Sequence, residues 1–249
     1  MADHALRARI SAAVTEALRP LPVVLAGWEG GSAAFGHVDA YSDIDLIYLV
    51  TDDASFEELY TSAERALEAV SPITARYTPQ LGRYYQLKDA GDFLLVDLVF
   101  LRVGDSERYF EVERHGKGVP LFDKGDWLRP VPVDQAALAA QRDRRLEELQ
   151  AWFPMSQAFV RKAILRGQDV EAINAYWVCT LKPLVDLLRM RHCPVRWDFG
   201  VRYLDRDLPA DVYAQVRNLA LVTDREDLES KVAKATAWAT ALLQESKPA

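Results

Sequence analysis

Apolar positions recur along this chain at two spacings, and the change from one to the other near its middle divides the sequence. In the first half, short alternating or continuous apolar runs over 21–26, 43–50, 73–78, 83–88 and 92–102 predict strands. Helical spacing predicts helices over 4–19, ended by Pro20, and over 55–70, where Ser55-Phe56-Glu57-Glu58 has the spacing of a capping box. A shorter helical stretch is expected around 105–114. Gly116, Gly118, Pro120, Gly125, Pro130 and Pro132 then gather within a few turns of chain, which predicts a boundary between a domain over 1–130 and one over 131–249. Beyond it the pattern turns helical, over 134–152, 156–166, 170–191, 209–221 and 224–245, with Asp134, Asp169 and Thr223 expected as N-caps and Pro183 expected to kink its helix. The predicted class is α+β: an N-terminal mixed sheet flanked by helices, followed by a C-terminal all-α bundle.

The chemistry concentrates in the first half. Asp43 and Asp45 head the apolar run that continues through Leu46, Ile47, Tyr48, Leu49 and Val50. Residues two apart on a strand share a face, so these carboxylates stand side by side and repel. At a separation near 6 Å and an effective dielectric of 20, that repulsion is about 2–3 kcal/mol, which a compensating cation would relieve. Paired hard oxygens suit Mg²⁺, which completes its shell with water and substrate phosphates. Gly30-Gly31-Ser32 follows the strand-like run 23–26, and glycines there let backbone N–H groups approach a phosphate while the serine hydroxyl adds a donor. A third carboxylate is expected if two metals are held for in-line displacement. Asp97 is the candidate: it lies within 93–101, apolar on both strand faces and so a central strand, where an unpaired carboxylate would be costly.

The combination of Gly30-Gly31-Ser32, Gly36, Asp39, Ser42-Asp43-Ile44-Asp45-Leu46 and a distal strand aspartate, Asp97, resembles the signature of the DNA polymerase β-like nucleotidyltransferase superfamily. The likeness covers roughly the first half of the chain. In size and layout the sequence is most similar to the bacterial small-molecule adenylyltransferases of the aminoglycoside-resistance type, a resemblance that implies a nucleotidyltransferase catalytic domain over 1–130, a helical acceptor-binding domain over 131–249 and an acceptor bound in the cleft between the halves. That resemblance implies a Mg²⁺-dependent transfer of AMP, or another NMP, from ATP or another NTP to a hydroxyl of a small acceptor. Asp43, Asp45 and Asp97 would hold the metals, with Asp97 also helping to deprotonate the acceptor. Gly31 and Ser32 would hold the β- and γ-phosphates. It also implies that a helical lysine in the second half, here Lys182, contacts the triphosphate. The stretch 191–209 is similar to a segment seen in the same group, with no role attached.

Composition narrows the partners. With 37 acidic against 30 basic residues the net charge is −7, which argues against a nucleic-acid substrate, since phosphate backbones are held by clustered Lys and Arg. Cys179 and Cys193 have neither zinc nor disulfide-framework spacing, and no signal-peptide pattern or membrane-spanning run is present, so a cytoplasmic setting is expected. Plainer readings stand beside these. Asp43 and Asp45 on their own would also suit a solvated strand end, Asp97 an internal ion pair, and Lys182 a solvated helix face. Asp39 and Ser42 suit a turn into the strand, Gly116-Lys117-Gly118 a turn rather than a phosphate loop, and His192, Trp197 and Tyr203 packing of the helical half. No motif singles out a general base among Glu147, Glu148, Glu171 and Asp186. Two other functions share parts of the signature: protein adenylylation of the antitoxin type, and a non-catalytic nucleotide- or partner-binding module.

Overall fold

The strands of the first half close into one six-stranded mixed sheet. A computed structural model describes residues 4–105 and 111–245, and the chain divides into two compact units, Met1–Val133 and Asp134–Ala249. In chain order the first contains α1 (His4–Leu18), β1 (Val24–Glu29), α2 (Gly31–Ala34), β2 (Ile44–Val50), α3 (Phe56–Val70), β3 (Ile73–Tyr77), β4 (Arg83–Leu87), β5 (Leu95–Arg102), α4 (Val112–His115) and β6 (Val119–Asp123). The sheet order is β3-β4-β5-β2-β1-β6, with β2 and β5 parallel and the other neighbours antiparallel.

Alternation along the two central strands separates structure from chemistry. Ile44, Leu46 and Tyr48 of β2 and Val96, Leu98 and Phe100 of β5 are buried with Ile10, Val14 and Leu18 of α1 and Leu59, Ala63 and Leu67 of α3. Each such aliphatic side chain contributes about 1.5–3 kcal/mol on burial. The opposite face carries Asp45, Ile47 and Leu49 on β2 and Asp97, Val99 and Leu101 on β5. There a smaller cluster of Ala26, Trp28, Leu49 and Leu101 packs with Ile47 and Val99, the residues two along from the aspartates.

Several sequence expectations need correction here. The first strand lies later than 21–26, at Val24–Glu29, so it runs directly into Gly30. The helical stretch expected over 105–114 is only Val112–His115 among the described residues, and 106–110 lies outside them. The Gly- and Pro-rich segment holds a strand, β6, which pairs with β1 at the sheet edge, a place where Pro120 can sit without a central ladder losing an N–H. Ser55 caps α3 as expected, its Oγ accepting from the Glu58 N–H.

The second unit is helical: α5 (Gln135–Leu165), α6 (Asp169–Tyr176), a π-helical turn (Trp177–Leu181), α7 (Lys182–His192), a 3₁₀ turn (Pro194–Arg196), α8 (Leu204–Asp207), α9 (Ala210–Ala220) and α10 (Arg225–Glu245). One proline behaves differently from expectation, and a second sits at a local irregularity. The helix does not stop between 152 and 156 but continues through Pro154, which is exposed, so the carbonyl it leaves unbonded one turn earlier can meet water. Pro183 lies in the first turn of α7, directly after the π turn, which takes up the misfit that the proline introduces. The Cys179 carbonyl, which an N–H at position 183 would have served, accepts instead from Gln157 Nε2 at 2.9 Å and Ser156 Oγ at 3.4 Å.

Caps differ in detail. Asp134 caps α5 by accepting from the Ala137 N–H at 2.9 Å, but Asp169 is the first residue of α6 rather than its cap. Asp224, not Thr223, accepts from the Asp227 N–H at 2.9 Å at the start of α10. His192 is exposed, whereas Trp197 is buried. The stretch 191–209 is organised by Arg189, whose fully buried guanidinium donates to the carbonyls of Arg196, Gly200 and Arg202 and pairs with Asp207 at 2.8 Å. Among the described residues no helix is long and apolar enough to cross a membrane.

Candidate active site

The site is built on the open face of the central strands. Asp45 of β2 and Asp97 of β5 are direct register partners on adjacent parallel strands, so their Cβ atoms rise from one face of the sheet. Asp43 precedes β2 by one residue, and its Oδ1 accepts from the Leu95 N–H at 3.4 Å at the head of β5. Burial raises the Asp43 pKa above the ordinary carboxylate value, against the lowering influence of the Leu95 N–H and Arg7.

Gly30, Gly31 and Ser32 close one flank. The Gly30 N–H donates to the Asp45 carbonyl at 2.8 Å, fixing the loop to the strand that carries the aspartates. Gly31 has φ +49°, and a Cβ there would collide with the Asp45 carboxylate. Only glycine meets both conditions. Ser32 Oγ is buried and meets no hydrogen-bond partner among the described residues. A cluster downstream supports the loop: the Lys117 N–H donates to the Ala34 carbonyl at 2.9 Å, and Gly116, at φ +77°, lies against the same residue. Gly116-Lys117-Gly118 is thus a turn leading into β6.

The opposite flank is aromatic. Tyr84 of β4 is the register partner of Asp97, and Tyr77 of β3 is the register partner of Tyr84. One row across four strands therefore reads Asp45, Asp97, Tyr84, Tyr77. The Tyr84 hydroxyl donates to Asp97, and its pKa is raised first by burial and then by the charges of Asp97, Asp45 and Asp43. All three carboxylates are thus near enough to be felt at one oxygen. Below the row, Tyr41 and Phe93 meet edge to face at 5.5 Å, just ahead of β2 and β5.

Two features hold the approach to β2. Asp39 and Ser42 form the expected turn, with Ser42 Oγ donating to Asp39 Oδ1 at 2.8 Å and Asp39 Oδ1 accepting from the Tyr41 N–H at 2.9 Å. Arg7 of α1 reaches across to donate to the carbonyls of Ser42 and Asp43 at 2.8 and 2.6 Å and pairs with Glu29 at the end of β1. Sequence reasoning missed Arg7, Tyr84 and Tyr77. Nothing local marks them, because their place depends on strand register and on a helix packed from far along the chain.

Lys182 lies in the other unit. Its Nζ is 3.1 Å from Asp186 Oδ2, and Asp186, almost wholly buried, is also bonded by Arg145 at 2.9 Å. Glu148 pairs with the same Arg145, so two of the four acidic candidates for a base are engaged in one ion network. Among the described residues no group of three or more His, Cys, Asp or Glu side chains stands preassembled for a metal. The donors at the row are nonetheless hard carboxylate oxygens, the kind that Mg²⁺ takes one or two of beside water and phosphate.

No protein-family model matches the sequence, and none of the curated proteins does. Among solved structures, the chain is similar to an aminoglycoside 6-adenyltransferase from Bacillus subtilis (14% identity, 98% of this chain and 93% of that one, TM-score 0.34). It is also similar to the spectinomycin adenyltransferase AAD(9) from Enterococcus faecialis, solved with ATP and spectinomycin (11% identity, 97% and 98% covered, TM-score 0.41). A third is the CdnE cyclic dinucleotide synthase from Elizabethkingia meningoseptica, solved with GTP and a nucleotide analogue (13% identity, 94% and 90% covered, TM-score 0.32). These are distant likenesses, and the function of this chain is argued from its own residues.

Proposed function

We propose that this chain is a nucleotidyltransferase that moves a nucleoside monophosphate, AMP from ATP in the first instance, onto a hydroxyl of a small acceptor of the aminoglycoside kind and releases pyrophosphate. The observation that carries this reading is the meeting of Gly31 with Asp45, whose register partner is Asp97. A backbone-only flank suited to phosphate lies directly against the Asp45 carboxylate, and the Asp97 carboxylate suited to a shared cation follows on the next strand, ~4.8 Å away. Structural carboxylates have no need of a neighbouring glycine at positive φ.

Asp43, Asp45 and Asp97 would hold Mg²⁺, which when bound neutralises charge at the transferred phosphoryl group. Gly31 and Ser32 would hold the β- and γ-phosphates, and the buried Ser32 hydroxyl supports this because it faces no partner of its own. The acceptor oxygen would form its bond to the α-phosphorus as the α–β bridging bond breaks, and its proton would pass to the Asp97 carboxylate. Arg7 would act as a positioning residue, since its bonds to the Ser42 and Asp43 carbonyls fix where β2 begins. Most of the catalysis asked of the chain is orientation and electrostatic complementarity. The Lys182 ammonium bonds Asp186, and no step above depends on it.

The test is pyrophosphate release from each NTP with Mg²⁺ across a panel of aminoglycosides, lincosamides and a cell extract, beside binding of ATP·Mg²⁺. Acceptor-dependent release that Asp45→Ala abolishes supports the transferase. Binding without release, unchanged in the variant, supports a binding module instead.

A further inference from the structure

The two flanks of the Asp45–Asp97 pair are chemically unlike. On the β1 side stand Gly31 and Ser32, which offer N–H and hydroxyl donors and leave no room for a side chain. On the β4 side the same row continues into Tyr84 and then Tyr77, on the edge strand β3. Tyr77 is 66% exposed, and the face it shares with Tyr84 and Asp97 is the one that α1 and α3 do not cover. Tyr84 is held by its hydroxyl to Asp97, so its ring has a fixed place beside the carboxylate.

We infer that Tyr84 and Tyr77 form the platform on which the ring of the acceptor rests. This rests on the nucleotidyltransferase reading. A triphosphate gains nothing from a flank of phenol rings with three carboxylates nearby, whereas a hydroxylated ring gains three things. Its C–H face lies on Tyr77, a hydroxyl reaches Asp97 past the Tyr84 oxygen, and its ammonium group meets aromatic faces and acidic charge together. Cations over tyrosine rings are favoured electrostatically, and more so when partly desolvated. The row thus has a nucleotide end and an acceptor end, with the carboxylates between. Tyr77 is a specificity-determining residue and Tyr84 a positioning residue for Asp97.

The experiment compares the full chain with Tyr77→Ala, Tyr84→Phe and Tyr84→Ala. It measures two quantities separately: Kd for a non-hydrolysable ATP analogue with Mg²⁺, and acceptor KM and kcat by pyrophosphate release, with spectinomycin and kanamycin as probes. The expected result for Tyr77→Ala is a KM for the acceptor raised at least tenfold, with nucleotide Kd within twofold. Tyr84→Phe, which keeps the ring and loses the hydroxyl, should lower kcat with KM nearly unchanged, while Tyr84→Ala should affect both. Unchanged acceptor KM in Tyr77→Ala overturns the platform, and so does an equal rise in nucleotide Kd, which would place the nucleotide on the tyrosines. Nucleotide binding without release on either probe overturns the platform, since no ring of this kind is then seated for transfer, and leaves nucleotide binding intact. Absence of nucleotide binding overturns both readings.

Discussion

Carboxylates are buried or half-buried in both units, yet they keep different company. In the helical unit Asp207 meets Arg189 and Arg196, and Asp186 meets Arg145 and Lys182, so each acid is answered by guanidinium or ammonium groups of the same unit. In the sheet unit the register partner of Asp45 is another aspartate. Arg7, which influences Asp43, directs its guanidinium to two carbonyls and to Glu29. Ion pairs of the first kind hold segments together, as Arg189 holds 196–207. Like charges in register raise the free energy of the fold and are kept where a ligand makes use of them.

The comparison breaks most sharply at two places. Asp45→Ala or Asp97→Ala should reduce NTP-dependent pyrophosphate release at least 10³-fold, about 4 kcal/mol of transition-state stabilisation, while thermal melting without Mg²⁺ stays level or rises as repulsion is relieved. A drop in Tm of more than a few degrees would mean that these acids are structural after all. In the helical unit the reverse holds: Arg189→Ala leaves Asp207 with Arg196 alone and takes the buried donor from the Arg196, Gly200 and Arg202 carbonyls, and should cost about 3–5 kcal/mol, read by urea denaturation followed with tryptophan fluorescence. Gln157→Leu leaves the Cys179 carbonyl with little beyond the longer Ser156 bond and should cost about 1–3 kcal/mol in the same assay.

Smaller effects sharpen the contrast. Gly31→Ala combines a positive φ with a collision at the Asp45 carboxylate, and should destabilise the first unit by about 1–3 kcal/mol while weakening ATP·Mg²⁺ binding, measured by calorimetry. The smallest effect is in pH dependence. Because the folded-state pKa of Asp43 is raised by burial, the folded chain holds a proton there at pH values where the unfolded chain has lost it. This group's contribution to stability is therefore greatest at acid pH and falls as pH rises from the ordinary value of 3.8 through the raised one. Asp43→Asn should flatten that part of the Tm-against-pH profile and raise Tm at neutral pH in the absence of Mg²⁺.

Much of this was legible in the residues because the signals were local. The apolar runs within 43–50 and 92–102, the cap at Ser55 and the Asp39–Ser42 turn each depend on a few neighbouring side chains. The aspartates and the glycine loop could likewise be read as candidates from spacing. What escaped was long-range. The segment holding Pro120 looks like a linker until it pairs with β1 at an edge, and Pro154 looks like a break until its turn is seen to face solvent. Tyr84 and Tyr77 have no signature, because only the register of three strand pairings brings them into line with Asp97 and Asp45.

The parallel pairing of β2 with β5 also bears on time. Asp43 and the Leu95 N–H that it accepts from are 52 residues apart in sequence, and between them the chain must complete α3 and the β3–β4 hairpin before the two central strands can meet. Contacts so far apart close slowly, since the loop entropy is lost before the contact gives anything back. A refolding chain should therefore regain helical circular dichroism well before it regains ATP·Mg²⁺ binding. Nucleotide affinity thus serves as a clock for the last step of assembly.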